Sequence, residues 1–255
     1  MALLTLFTRG LEAYLTENED REGDLWLFQH LPKTAGSSIR TQMFKVLRPA
    51  TGIDVKSADP SLPMDKRRSE AARLFIEKDK DHRFRCAGGH LLIPDILKIL
   101  RHRPGAKPFT LLRHPVDRVV SDYNYFFNGG DGTAPSAGAR QAYPTLQSYV
   151  SHGASQNKFF RYLAPAPDMS NEALASFVET TFVFIGLQDR YAASLKLLGR
   201  LIGSDLDASK RLLDSSESVG QKAVPTQAER QDIAALNHRD MFIYDYFRTR
   251  LEKFL

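Results

Sequence analysis

Residues 25–38 read LWLFQHLPKTAGSS. Leu25 to Leu31 is a short, nearly continuous apolar run, the pattern of a strand covered on both faces in a parallel sheet. Pro32 ends the run. Lys33 to Ser38 then form a loop of small residues, and Ile39, Met43, Val46 and Leu47 fall on one face of a helix that follows. Small residues let backbone N–H groups converge on an anion, and a helix starting there adds the positive end of its dipole. Lys33 supplies a mobile charge, and Ser37 and Ser38 supply hydroxyls. The segment has the form of a phosphate cradle, but it is not G-x-x-x-x-G-K-[ST], because the lysine precedes the glycine. A second reading stays open at this point: a plain strand-to-helix turn with a serine N-cap.

The rest of the chain repeats the strand–helix alternation. Arg83 to Ala87 predicts a second strand, closed by Gly88-Gly89-His90. Ile93 to Leu100 follows as a helix with Pro94 in its first turn. Phe109 to Leu112 predicts a third strand, ending at Arg113-His114-Pro115, where Pro115 suits a helix start. Phe182 to Leu187 predicts a fourth. Helices are expected over Tyr191–Ile202, Thr226–Leu236 and Arg239–Phe254, with residues 48–70 as a polar connection. Strands alternating with helices imply an α/β fold with a mostly parallel sheet, whose ligands bind beyond the carboxyl ends of the strands.

The chain has 255 residues, 42% of them hydrophobic and 25% charged, the composition of a folded domain. We read residues 1–255 as a single domain. Residues 1–24 are expected to form an N-terminal amphipathic helix, because Leu4, Phe7, Leu11, Tyr14 and Leu15 recur at helical spacing. The Gly/Ala/Ser-rich stretch 128–143 reads as a long flexible loop. A single cysteine, Cys86, excludes an internal disulfide framework and a four-cysteine zinc site. No run of about 18 apolar residues is present, so no transmembrane segment is expected. The net charge of +5 suits a polyanionic ligand without marking a nucleic-acid binder.

The third strand end reads LLRHPVDRVVSDY over residues 111–123. Arg113 stands where its guanidinium fork can grip a phosphate, and Ser121 lies within the following helix. Taken alone, this segment is equally an ordinary proline-started helix with a solvated charge run. PKTAGSS after one strand and LRHPVDRVVSDY after another together resemble the paired donor motifs of PAPS-dependent sulfotransferases. PAPS is 3′-phosphoadenosine 5′-phosphosulfate. The likeness is to the carbohydrate type, related to heparan sulfate 2-O-sulfotransferase. That family shows H-I-P-K-T-G-G-T-S and L-R-x-P-[VIL]-E-R-x-x-S-x-Y; here Ala35 stands for Gly, Ser37 for Thr and Asp117 for Glu. Residues 157–163, 184–198 and 237–246 are also family-like.

The resemblance implies a P-loop-like three-layer fold with the sheet flanked by helices. It implies that Lys33, Thr34, Ala35, Gly36, Ser37 and Ser38 hold the 5′-phosphosulfate, and that Arg113 and Ser121 hold the 3′-phosphate. PAPS would be the donor, PAP the product, and the acceptor a hydroxyl, by resemblance that of a saccharide. His90 is the expected general base, because it follows the second strand at the same sheet edge as Lys33 and Arg113. The related enzymes show H-G-H there, whereas Gly88 occupies the first of those positions. Lys33 is expected at the leaving oxygen. No metal is expected, since a sulfuryl group carries less charge than a phosphoryl group and no metal-binding motif is evident. Asn157, Arg161 and Lys222 are weaker candidates for ligand contact. The resemblance and the lack of an apolar anchor together suggest a cytoplasmic, bacterial enzyme.

Two other classes compete. A P-loop-like kinase would want a lysine after the glycine and a strand ending in Asp for magnesium. A non-enzymatic binder of polyanions or nucleic acid would want clustered basic and aromatic residues. Lys66-Arg67-Arg68 and Arg101-His102-Arg103 are the short basic clusters, with acidic residues nearby. No nucleic acid is expected as partner.

Overall fold

A computed structural model describes residues 3–128, 141–209 and 222–255. Residues 129–140 of the 128–143 stretch, and residues 210–221 before Lys222, therefore lie outside the described residues. Five strands form one sheet: β1 (Trp26–Gln29), β2 (Ala50–Gly52), β3 (Cys86–Gly89), β4 (Lys107–Leu112) and β5 (Phe184–Leu187). The order is β2-β3-β1-β4-β5, and every pairing is parallel. β1, β3, β4 and β5 are buried along their whole length, as expected for strands covered on both faces.

Helices α1 (Leu3–Arg9), α2 (Leu11–Asn18), α3 (Gly36–Val46), α4 (Met64–Lys78), α5 (Ile93–His102) and α6 (Pro115–Asn128) come first. They are followed by α7 (Leu146–Ser151), α8 (Lys158–Leu163), α9 (Asn171–Thr181), α10 (Tyr191–Ile202), α11 (Gln227–Leu236) and α12 (His238–Leu251). The main core runs across the sheet. A smaller apolar cluster joins α6, α7 and α11 through Val119, Tyr149 and Ile233.

Several expectations need correction. The N-terminal segment is two helices, not one, because Gly10 breaks it with φ 84°. Leu3, Leu6 and Tyr14 are buried while Leu4 is exposed, and the Tyr14 hydroxyl donates to the Val183 carbonyl at 2.7 Å. β2 was hidden inside the supposed connection 48–70, and α4 begins there too. A half-buried strand of three residues carries too little pattern to read. α4 is charged along most of its length and buries only Ala71, Ala72 and Phe75. α9 also went unpredicted.

One feature of the packing bears on the site. Trp26 and Phe28 share one face of β1, and His30, the residue just after the strand, continues their line. Their rings form a column with Phe109: Trp26 to Phe109 at 5.9 Å, Phe109 to Phe28 at 5.0 Å, Phe28 to His30 at 5.4 Å and His30 to His90 at 4.3 Å. The column starts in the core and ends at the carboxyl edge of the sheet.

Candidate functional site

Connections from β1 run toward β2, while those from β4 run toward β5 on the other side. The crevice between the carboxyl ends of β1 and β4 is thus the topological switch point, where ligands of such sheets bind. Lys33 follows β1 and Arg113 follows β4. His90 follows β3, the strand on the other side of β1.

The loop after β1 has an unusual backbone. Lys33 (φ 65°) and Ala35 (φ 66°) are both left-handed, although neither is glycine. Each such residue costs roughly 1–2 kcal/mol, and strain of this kind persists only where the surroundings impose it. The buried Thr34 hydroxyl helps by donating to the Leu31 carbonyl at 2.9 Å. Arg113 Nη1 donates to the Lys33 carbonyl at 3.2 Å, which ties the two motifs together. The turn leads into α3, whose N-cap is Ala35, a residue with no side chain to cap the helix. The serine-capped turn is thereby corrected, since Ser37 and Ser38 lie inside the first helical turn. The first-turn N–H groups of α3 have no side-chain cap, and such a helix start can take an anion.

Gly36 is required by packing. A Cβ there would lie 2.1 Å from Cδ2 of His30. The His30 ring sits between Phe28 and His90, nearly parallel to both. Burial holds its pKa at about 3, with His90, Arg40 and Lys33 adding to the effect, so the ring is neutral. His90 Nδ1 lies 2.7 Å from the His30 carbonyl oxygen. A carbonyl only accepts, so Nδ1 carries the proton, and the lone pair of neutral His90 is on Nε2. Desolvation lowers the His90 pKa; Arg68 and Arg40 push the same way, while the His30 carbonyl and Asp54 oppose. The residue itself is exposed. Gly88 has Phe28 Cβ only 2.7 Å from where its own Cβ would be, so no histidine fits there.

Lys33 is half-buried, and its ammonium lies 3.8 Å from the centroid of the Tyr125 ring. Desolvation lowers its pKa to about 8; Asp122 opposes this, and Arg113 and Lys158 assist it. Arg113 is half-buried, and its Nε is buried with no hydrogen-bond partner. Ser121 is half-buried two turns into α6. Asp117 and Arg118 do not pair with each other: Asp117 bonds Arg230 at 2.9 Å, while the fully buried Arg118 reaches Asp122, the Ser155 carbonyl and Asn237.

The weaker candidates divide. Asn157 is structural: its amide bonds the Leu236 carbonyl and the Arg239 N–H, locking the start of α8 to the start of α12. Arg161 bonds the Ala154 carbonyl. Lys222 is half-buried beside Ala223, whose N–H and C=O pair with the Asn124 side chain on α6, so this segment is docked near Ser121. Sequence reasoning missed Tyr125, Asp122 and Lys158. Lys158 is ion-paired with Asp122, which also accepts from the Tyr149 hydroxyl at 2.8 Å. The signal was present for Asp122, which stands four residues after Arg118 on one helix face. For the other two there was none.

The chemistry on offer is that of an anion site with a base beside it. The capless helix start, Lys33 and the unpartnered Arg113 Nε fit a ligand with two anionic groups, one at each strand end. Among the described residues, no group of three or more His, Cys, Asp or Glu side chains could hold a metal ion. No helix among them is long and apolar enough to cross a membrane. No family model and no curated protein matches the chain.

Proposed function

We propose that the chain is a sulfotransferase that takes the sulfuryl group of PAPS to an acceptor hydroxyl, with PAP as the product. The observation that carries this reading is the Arg113–Lys33 hydrogen bond at the switch point. It joins an open helix start to an arginine with a buried, unpartnered Nε, one strand away from a histidine with a free Nε2. A donor with phosphates at both its 5′ and 3′ positions matches the two cationic strand ends.

In this assignment the N–H groups of Gly36 to Ser38 and the Lys33 ammonium hold the 5′ end. Arg113 and Ser121 hold the 3′-phosphate. The Thr34 hydroxyl is already engaged with Leu31, so Thr34 contributes through its N–H. Bound PAPS would supply an activated sulfuryl group, whose bond to the 5′-phosphate oxygen breaks as the acceptor oxygen bonds to sulfur. His90 Nε2 takes the acceptor proton, and Lys33 meets the charge growing on the leaving oxygen, where it favours the transition state over the ground state. A neutral His30 beneath His90 places no second positive charge against the imidazolium that His90 becomes. The saccharide character of the acceptor rests on the sequence resemblance.

The test is transfer of ³⁵S from labelled PAPS to a panel of hydroxyl acceptors. The wild-type protein should label an acceptor, and Lys33→Ala and His90→Ala should each lower turnover by about a hundredfold. Unchanged turnover in His90→Ala would remove it as the base. Phosphoryl transfer from ATP instead would replace this reading with the kinase one.

A further inference from the structure

We propose that Tyr125 is a positioning residue for this transfer: the face of its ring holds the Lys33 ammonium at the mouth of the cradle. Its role in transfer rests on the sulfotransferase reading, whereas the contact itself does not. Lys33 is gripped at two points. Its backbone is left-handed and its carbonyl accepts from Arg113, and its Nζ lies 3.8 Å from the Tyr125 centroid. Tyr125 stands four residues after Ser121 on α6, so it shares that helix face with a proposed 3′-phosphate ligand.

The charged surroundings of Lys33 do not by themselves hold its tip. His30 from the end of β1, Arg113 from β4 and Lys158 from α8 are neutral or cationic. Asp122 on α6 is the anionic neighbour, but it already meets Lys158, Arg118 and the Tyr149 hydroxyl. An ammonium over an aromatic face is drawn by the ring quadrupole, most strongly where water is excluded. The ring thus favours the charged lysine against the desolvation and cationic neighbours that pull the other way. It also sets the side chain in one place before a ligand arrives, which lowers the cost of ordering it later.

The experiment is NMR of the donor-free protein with ¹³C-methylated lysines, the Lys33 signal being assigned from its absence in Lys33→Arg. Wild type and Tyr125→Phe should show a Lys33 signal moved upfield by the ring, titrating near pH 8. In Tyr125→Leu the upfield shift should vanish and the titration should move down by about one pH unit. With donor and acceptor, Tyr125→Leu should lower kcat about tenfold and leave the donor KM within about twofold, and Tyr125→Phe should restore kcat. A wild-type Lys33 signal at the position of exposed lysines overturns the proposal, whether or not any variant folds. So does a Tyr125→Leu signal and titration identical to wild type. An intact upfield shift in wild type, with no binding of adenosine 3′,5′-bisphosphate, overturns the transfer assignment separately and leaves the contact standing.

Discussion

The proposed transfer needs two side chains at this sheet edge in opposite protonation states. As the proposed base, His90 must be neutral, and desolvation holds its pKa below the usual histidine value. Activity dependent on it is full above that pKa and is lost as pH falls through it. Lys33 works when charged, and its pKa in the ligand-free protein is about 8. Activity dependent on it is full below pH 8 and is lost as pH rises through that value. The expected profile of kcat/KM is a bell with its acid limb below about pH 6.5 and its alkaline limb near 8. In kcat the alkaline limb should move upward, because bound anion favours the charged lysine. An acid limb in His90→Asn at the wild-type position would show that another group sets it. His30 gives a companion test. Its ring stacks on His90 at 4.3 Å, so His30→Ala should lower kcat about tenfold, and His30→Phe should recover part of the loss by restoring a flat ring.

At the scale of elements, α6 links the site to the helical layer. Its Arg118 has no exposed surface, and it joins α6 to Ser155 before α8 and to Asn237 before α12. Removing it takes the Arg118 donor from the Ser155 carbonyl, leaves Asp122 with Lys158 and the Tyr149 hydroxyl alone, and opens a void where a fully buried side chain stood. Arg118→Ala should therefore cost about 3–5 kcal/mol in urea unfolding; a loss under 1 kcal/mol would mean that water replaces it. β3 makes a second case. Gly89 would place a Cβ 2.0 Å from the Ile53 carbonyl oxygen, and Gly88 would place one 2.7 Å from Phe28. Gly88→His, which restores the H-G-H of the resembling enzymes, should destabilise the protein rather than improve it, measured as a drop in Tm. The strands pack too closely at Gly88 for a second histidine beside His90.

These elements show what the sequence could and could not disclose. β1, β4 and β5 were legible because strands buried on both faces leave an unbroken apolar run. The positions of Lys33 and Arg113 at the carboxyl edge were legible because each follows such a run, and that of His90 because Gly88-Gly89 closes β3 just before it. β2 was not, since three half-buried residues have no period, and α4 was not, since a charged helix with a small buried face resembles a linker. Tyr125 was invisible for a different reason. Its role depends on α6 crossing above the β1 loop, and that contact is long-range, with no trace in local spacing.

The whole molecule places three strand ends side by side at the point where the direction of its connections reverses, and it carries a net charge of +5. A ligand bound there touches the loops of β1 and β4 and the start of two helices, so it should stabilise the entire fold. At a hundredfold excess over Kd the gain is about 2.7 kcal/mol, a rise in Tm of several degrees. In the proposed function this edge recognises a nucleotide with both a 5′ and a 3′ anionic group. Calorimetric titration with adenosine 3′,5′-bisphosphate, adenosine 5′-monophosphate and ATP tests it most directly, with and without magnesium. The bisphosphate should bind with micromolar affinity and the other two at least tenfold more weakly, a difference that Arg113→Ala should abolish. Tighter binding of ATP with magnesium, or a bisphosphate affinity that Arg113→Ala leaves untouched, would contradict it.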